Sequence, residues 1–557
     1  QKAVRSLEIS GRNLLWESPK WNDSEELDRA LRVPTDERLW AITTALRRGY
    51  TVEDVSKKTK IDPWFIKCIE NIVSLEGVIR SSELDKALLW RAKRLGFSDA
   101  YIAQIKGVSP EDIRKLRKQW GITPVWKMVD TCAAEFEATT PYFYSTYEEE
   151  NEALPQEGRS SVVIGSGPIR IGQGIEFDYC SVHSARALRE AGVKSIMINS
   201  NPETVSTDFD TSDRLYFDPL DDESIRDIVE NERLETLAEG YPTQSTLEGD
   251  ELPVAGPPVI VQFGGQTAIN LASKLHRAGF KVLGSSLESI DLAEDRERFD
   301  GLLNSLGLLR PPGGTARDLD SALETATRIG YPLLVRPSYV LGGQAMRIVY
   351  NEVELLDYID AATEVSGDHP VLLDRYIEGT EVEVDAVSDG ETVVIPGIVE
   401  HIERAGVHSG DSFGVYPQIT LDDRDVSQIE EITVKLARAM NVKGLMNVQF
   451  VVQDHQVYIL EVNPRASRTV PFISKVTGVP LVTLATHVML GSKLANMGYA
   501  TGLVPRVPLY AVKAPVFSMS KLAGVDTVLG PEMKSTGEVM GVDVEYEPAL
   551  MKAMIAA

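Results

Sequence analysis

The run VYILEVNPRASRTV, residues 457–470, holds the side chains best suited to chemistry. Val457, Tyr458, Ile459 and Leu460 read as a buried strand, and Glu461, Asn463, Arg465 and Arg468 follow within eight residues. A core strand accepts that much polarity only where partners meet it. Glu461 and Asn463 are two apart and so point to one face, together with Val457 and Ile459. The preceding run LMNVQFVV sets Asn447 and Gln449 on a common face. A hairpin loop of odd length, three residues for example, places Gln449 opposite Glu461. Three oxygen donors, one of them anionic, then converge. That inventory suits a hard divalent ion such as Mg²⁺, which completes its shell with water and phosphate oxygens. The plainer alternative is that Glu461 and Asn463 end a strand in solvent. Arg465 and Arg468 weigh against it. Guanidinium groups beside a metal carboxylate repel a bare cation but clamp an anion bound with it, as phosphoryl transfer requires.

Other residues fit the same chemistry. Arg296 in EDRERF and Arg336 in VRPSY adjoin apolar segments, and a buried cation wants a phosphate or carboxylate. Gly342-Gly343 can close over phosphates with backbone N–H groups. AGVHSGDS (405–412) is a small-residue loop with one histidine, His408; a structural role and contact with a reactive group are equally open to it. Glu381 opens a strand after LLDRYIEGT, where a solvated strand end and a ribose contact are also equally open. VVIGSGPIRIGQG (162–174) spaces Gly165, Gly167 and Gly172 around Arg170, which is not GxGxxG. A glycine turn that closes a helix onto its strand explains it as well as a dinucleotide site does. Gly-Lys-Ser/Thr occurs nowhere, so any ATP is bound without a Walker A loop.

These groups need a scaffold. From about 291 onward antiparallel signals dominate: YPLLVRPSYVLGGQAMRIVY (331–350) is two strand-like runs around a glycine turn, and VEVDAVSDGETVVIPGIVEHIE (382–403) is a hairpin turning at Asp389-Gly390. A third strand pair surrounds VVQDHQV (451–457). Upstream, SVVIGSG (161–167), SVHSARALREAG (181–192), KSIMINSNP (194–202), PPVIVQFGGQ (257–266), TAINLASKLHRAG (267–279) and KVLGSS (281–286) alternate strand and helix. That alternation predicts parallel strands with helical crossovers. The polar run 231–256 reads as a loop insertion, and STYEEENEALPQEGR (145–159) as a linker.

Residues from about 16 to 130 read as helical. GYTVEDVSKKTKIDPWFIKCI (49–69) repeats as GFSDAYIAQIKGVSPEDIRKL (96–116), an offset of 47 residues. Each copy has a Thr or Ser cap (Thr51, Ser98) and restarts a helix with Asp62-Pro63 or Ser109-Pro110. Two helix–turn–helix units suggest a DNA reader, but a helical packing module suits so acidic a chain far better.

Composition bounds the reading. The 557 residues allow roughly three to four domains, with 43% hydrophobic and 25% charged residues as in ordinary globular proteins. A net charge of −26 argues against nucleic acid and anionic membranes as partners, while local arginines still serve small anions. No apolar run approaches the roughly 18 residues of a membrane span. Cys68, Cys132 and Cys180 have no CxxC spacing, which predicts neither a disulfide framework nor a zinc site and fits a reducing cytoplasm.

Several strings together resemble one family. RPSYVLGG, GVHSGDS, MNVQF and EVNPRASRTVPF look like the ATP-grasp core of carbamoyl-phosphate synthase large subunits, and DTCAAEFEATTPYFYSTYEEE, RIGQGIEFDYC, NSNPETVSTDFDTSDRLYF and EDRERF resemble the same family. The resemblance implies a mixed α/β and α+β chain: residues 1–15 the tail of a preceding synthetase half, 16–155 a helical oligomerisation domain, 156–290 a Rossmann-like pre-ATP-grasp domain and 291–557 an ATP-grasp domain. On that reading the chain lacks the first synthetase half and the terminal allosteric domain, and is a fragment.

The implied reaction is ATP + carbamate → ADP + carbamoyl phosphate, the last step of a synthesis from bicarbonate, glutamine-derived ammonia and two ATP that feeds arginine and pyrimidine biosynthesis. Carried onto this sequence, the family pattern puts Arg296 and Arg336 on ATP phosphates and Gly342 and Gly343 in a phosphate-covering loop. Arg375 and Ile377 bracket adenine, and Glu381 holds ribose. Gly406, Val407, His408 and Ser409 line the nucleotide and reacting groups. Gln449, Glu461 and Asn463 take two Mg²⁺ or Mn²⁺ ions, and Arg468 with Arg465 orients carbamate and the transferring phosphoryl group. K⁺ near the hairpin, a glutaminase small subunit and self-association through the helical domain are implied as well. The hinge DRYIEGT differs by one residue in length from some relatives, which bears on Arg375 and Ile377. A silent nucleotide-binding half and another carboxylate-activating ATP-grasp ligase stand as alternatives.

Overall fold

Cap residues mark the helix starts of the N-terminal part. Thr51 and Ser109 form capping boxes with Asp54 and Asp112, and Asp62 and Ser98 accept the amides of Trp64 and Tyr101. Val52–Thr59 and Asp99–Lys106 each end on a left-handed residue, Lys60 (φ 62°) and Gly107 (φ 68°), at equivalent places in the repeat. The computed structural model describes residues 1–9, 13–133, 135–136, 140–233, 256–337, 341–343, 345–366, 370–521 and 526–557. Most of the 231–256 insertion therefore lies outside the described residues. The chain divides into one unit of residues 1–156, 198–201 and 214–234, and a second of 157–197, 202–213 and 235–557.

In the first unit the helices close on a core that includes Leu31, Trp40, Val55, Ile66, Leu75, Ile79 and Ile102. A buried ionic network adds to it. Arg117 bonds Asp99 Oδ2 (2.7 Å) and Asp227 Oδ2 (2.8 Å), and Lys93 reaches Asp99 Oδ1 (2.9 Å) and Glu223 Oε1 (2.5 Å). The helical reading of about 16–130 needs correction at its end, the implied helical domain 16–155 includes a strand pair, and the linker 145–159 yields only its first two residues to a strand. Val125–Met128 and Tyr142–Thr146 are antiparallel strands, and the second pairs in parallel with Arg214–Phe217. The run YFYST, aromatic and β-branched, has the composition of a strand.

In the second unit, Ser160–Ile164, Val259–Ile260 and Val282–Leu283 lie side by side in parallel, and Glu176–Glu190 is the helix after the first of them. The glycine turn between them is fastened by Gln173, whose Nε2 donates to Ser166 O and Gly264 O, both at 2.8 Å. A four-stranded antiparallel sheet follows, ordered Arg347–Val349, Leu333–Arg336, Val371–Arg375, Gly313–Ala316.

The largest sheet carries Gln456–Asn463, Lys443–Gln453, Thr380–Asp389, Val399–Arg404, Gly414–Tyr416, Tyr510–Val516 and Gly537–Asp543 in that order. Its core runs through Val382, Val384, Ala386, Val448, Phe450 and Ile459. Asp389 fixes the expected hairpin turn by accepting the amides of Glu391 (2.9 Å) and Thr392 (2.8 Å), with Gly390 at φ 90°. The three cysteines are free thiols. Among the described residues no single helix is long and apolar enough to cross a membrane.

Candidate active site

The hairpin Lys443–Gln453/Gln456–Asn463 pairs Gln449 with Glu461 and Asn447 with Asn463, the alignment the metal inventory needs. It gets there by an unexpected route. Gln453 pairs with Gln456, so the loop is the two residues Asp454 and His455, not an odd number. A bulge between Gln449 and Phe450 pairs Phe450 with Ile459 and skips Leu460, which restores the parity a two-residue loop would have lost. The bulge also overturns the shared face. Val457 and Ile459 are buried, then Val462, so Glu461 and Asn463 lie opposite the Val457/Ile459 side. Asn463 Nδ2 donates to Glu461 Oε1 (2.9 Å), and Gln449 Nε2 reaches Ser409 Oγ (3.5 Å). With both amide nitrogens so engaged, the amide oxygens and the second Glu461 oxygen are the atoms left to meet a hard cation. Asn447 is otherwise occupied, donating to Glu383 Oε1 (2.8 Å) and Asp385 Oδ1 (3.1 Å).

Arg296 and Arg336 converge on one carboxylate, that of Asp374. Arg336 Nη2 is 3.2 Å from Asp374 Oδ2, Arg296 bonds the same carboxylate, and Arg310 stands 4.0 Å from it while pairing with Asp300. Against its burial, Arg336 and Arg296 hold the Asp374 carboxyl below the usual range. Three guanidiniums face two carboxylates, so the cluster keeps a positive excess for an anion. Arg310 and Asp374 were not foreseen; nothing in their local sequence links residues 64 apart.

His408 stands at the start of the turn Ser409–Asp411, and its Nδ1 accepts the Gly410 amide (3.0 Å), which places the neutral ring's proton on Nε2. Burial, then Arg468 and Lys513, push its pKa down to about 3, so the imidazole is neutral and a hydrogen-bond donor at physiological pH. A Cβ on Gly410 would stand 2.9 Å from Arg468 Nη1, which sets that guanidinium against the His408 loop. Gly406 (φ 97°) lies so close to Ile348 and the Tyr376 ring that a Cβ would meet them at 2.8 and 2.9 Å. Val407 is the half-buried residue between Gly406 and His408.

Beneath these groups Thr380–Asp389 presents Glu381, Glu383 and Asp385, all buried. Burial pushes the Glu381 carboxyl up to about 7, with Glu383 and Glu461 adding to it and His401 opposing. Burial and Glu383 push Asp385 up as well. Against the cost of burial, His401 and Lys513 pull Glu383 down. Ser467 donates to Asp385 Oδ2 (2.9 Å) and Lys513 to Glu538 Oε1 (3.1 Å). The alternation EVEVD, acids every second residue in an otherwise apolar strand, is a signal that reading Glu381 alone passed over.

Other expected residues sit nearby with different partners. Arg465 caps its own turn through Ala466 O (3.0 Å), with its guanidinium 6.0 Å from the Phe177 ring centre. Arg375 donates from its side chain to Tyr331 O and from its amide to Pro312 O (2.7 Å), at the end of the strand Val371–Arg375, and Ile377 follows it half-buried. Gly342 (φ 62°) and Gly343 (φ 68°) take the left-handed conformation of a tight turn, which glycine adopts without strain.

Family models match residues 1–121 (carbamoyl-phosphate synthetase large chain, oligomerisation domain), 157–292 (carbamoyl phosphate synthase preATP-grasp domain) and 295–497 (carbamoyl-phosphate synthase L chain, ATP binding domain). The carbamoyl phosphate synthase large chain of Thermomicrobium roseum is 56% identical over 557 residues, 100% of this chain and 50% of the relative. That of Thermoanaerobacter pseudethanolicus is 54% identical over 556 residues, with the same coverage. The chain thus spans half the length of these curated relatives. Among solved structures, the biotin carboxylase domain of Hydrogenobacter thermophilus 2-oxoglutarate carboxylase with MgADP, ADP and bicarbonate superposes at a TM-score of 0.50 and 21% identity, covering 66% of this chain and 77% of that one. An ADP complex of N5-carboxyaminoimidazole ribonucleotide synthetase gives 0.51 and 13%, covering 72% and 97%. These two share the fold. Matched by three models of one chain type and aligned over its full length at 54–56% identity, the chain belongs to the carbamoyl phosphate synthase large-chain family, with a helical domain, a preATP-grasp domain and an ATP-grasp fold.

Proposed function

We propose that this chain carries the ATP site that phosphorylates carbamate: ATP + carbamate → ADP + carbamoyl phosphate. The observation that carries the reading is the Gln449–Glu461 pairing, with Asn463 on the same side of the ribbon and Arg468 against the His408 loop. The donor set suits Mg²⁺ or Mn²⁺, two ions held by Gln449, Glu461 and Asn463, which when bound neutralise phosphate charge. The protein's own groups do the rest. Arg296 and Arg336, with Arg310, bind phosphate oxygens. Arg468, with Arg465 behind it, orients the two anions against their repulsion. Neutral His408 offers an Nε2–H to a reacting oxygen without itself taking a proton. Gly342-Gly343 covers the phosphates, Gly406 to Ser409 line the nucleotide, Glu381 holds ribose, and Arg375 and Ile377 flank adenine. K⁺ beside the hairpin belongs to the same proposal.

Carbamate is short-lived, so a further synthetase half and a glutaminase small subunit are the inferred partners, in the cytoplasm, in service of arginine and pyrimidine synthesis. The silent-half alternative would need a lost ligand or clamp, and none is lost.

Run backwards, the reaction gives a direct assay: ATP formed from ADP and carbamoyl phosphate. We expect turnover from the chain as it stands and a loss of about 100-fold or more in Glu461→Gln, the scale of removing one transition-state electrostatic contact. Equal rates would sink the metal assignment, and no turnover from either protein would sink the reaction.

A further inference from the structure

The segment GPEMKST, residues 530–536, lies beyond the 295–497 family match and holds none of the site residues assigned above. It nevertheless grips two loops of the site at once. On one side Met533 N donates to Gly342 O (2.9 Å), and Pro531 O lies where a Cβ on Gly343 would be, 2.1 Å from it. On the other, His408 N donates to Gly530 O (2.8 Å) and Ser535 Oγ to Gly410 O (2.7 Å).

The strongest fastening is Asp411. Its carboxylate, 0% exposed, accepts Lys534 N (2.8 and 3.1 Å) and Ser535 N (2.8 Å). Among its described hydrogen bonds and ion pairs, no side-chain cation answers that charge. A fully buried carboxylate held by backbone N–H groups is a costly way to tie down a loop unless its position matters. Met533 also packs over the site: its Cε and Arg468 Nη1 each stand 2.9 Å from a Cβ built on Gly410.

We propose that Asp411 and the 530–536 strap are positioning elements that lock the phosphate-covering turn Gly342-Gly343 and the His408 loop into one arrangement. Nucleotide phosphates and the reacting group are then presented together: neither loop takes its working position without the other. The proposal rests on the function proposed above for its turnover readout, but not for its binding readout.

The test uses the full chain with Asp411→Asn, which turns one acceptor oxygen into a donor facing N–H groups, and Met533→Pro, which deletes the N–H bonded to Gly342 O. Calorimetry gives the Mg·ADP affinity, and ATP synthesis gives kcat and KM. Each single variant is expected to weaken Mg·ADP binding about tenfold, the upper scale of one net hydrogen bond, and to lower kcat with it. Because the two act on one lock, the double variant is expected to bind no worse than the weaker single. Losses that multiply would show two loops fastened independently and overturn the proposal. So would wild-type affinity in Asp411→Asn. If Met533→Pro does not fold, Ser535→Ala, which removes only the bond to Gly410 O, takes its place in the cycle with the same two outcomes. Wild-type chain that binds Mg·ADP but makes no ATP would refute the reaction and leave the binding cycle to decide the strap.

Discussion

At the scale of single residues, the site joins groups whose charge states are set by burial. His408 is the clearest case. An ordinary histidine titrates near 6.5, but desolvation with Arg468 and Lys513 beside it brings this one down to about 3. Its ring signals in an NMR titration are therefore expected to stay flat between about pH 5 and pH 8, and a midpoint near 6.5 would remove its role as a neutral donor. The sign for stability follows from linkage. Below about pH 6.5 the unfolded chain takes up a proton that the folded chain refuses, so this group's contribution falls with pH and is gone below about pH 3. His408→Gln is expected to lose less melting temperature than wild type between about pH 7 and pH 4. Arg468→Lys tests shape against charge. The ammonium keeps the charge but not the planar fork, so kcat is expected to fall by roughly 10²-fold while KM for ADP moves less than about threefold. A matching rise in KM would move Arg468 from the reacting anions to nucleotide binding. Gln449, Glu461 and Asn463 were readable from strand alternation, apart from the face they share, whereas Arg468 lies past the strand, just before the helix Thr469–Thr477, and stood out only by its nearness in the chain. Arg310, Asp374 and Asp411 became visible only in the fold, because their partners come from other elements.

At the scale of elements, local signals carried the helices and long-range pairing withheld the details of the sheets. Thr51, Asp62, Ser98 and Ser109 cap the helices their spacing promised. Val125–Met128 and Tyr142–Thr146 are short strands, and nothing within either run names its neighbour. The bulge at Leu460 is another such case: the Gln449–Glu461 register follows from hydrophobic fit on two faces, not from loop length. The buried network of the first unit belongs to this scale. Arg117 is 0% exposed and answers both Asp99 and Asp227, so Arg117→Met would leave two carboxylates buried without it. Unfolding of that variant by urea is expected to show a loss of about 3–5 kcal/mol. A change under about 1 kcal/mol would mean that Lys93, which bonds Asp99, and Arg114, whose Nη1 is 2.8 Å from Asp227 Oδ1, alone satisfy the acids.

At the scale of the whole molecule, the acidic balance and the order of elements already separated a helical module from the nucleotide-binding part. The unit boundaries were harder, because residues 198–201 and 214–234 fall in with residues 1–156 rather than with their sequence neighbours. That interleaving bears on how self-association should be tested. Deleting residues 1–150 would strip out Val125–Met128 and Tyr142–Thr146 and change mass and fold together. Point changes on the helical module are cleaner. Trp64 and Phe65, at the start of the helix Pro63–Ser81, are 66% and 56% exposed and meet edge to face at 4.9 Å. Two large aromatics side by side in water are what a partner surface covers. If the module self-associates through this face, Trp64→Glu with Phe65→Glu desolvates two charges at the contact, which association cannot tolerate. Sedimentation equilibrium at about 10 µM is expected to show a wild-type mass above the 61.4 kDa chain and the double variant at the monomer value, with far-UV dichroism unchanged. Equal masses for the two proteins would place the contact elsewhere on the module, and a monomeric wild type would mean that this chain does not associate by itself.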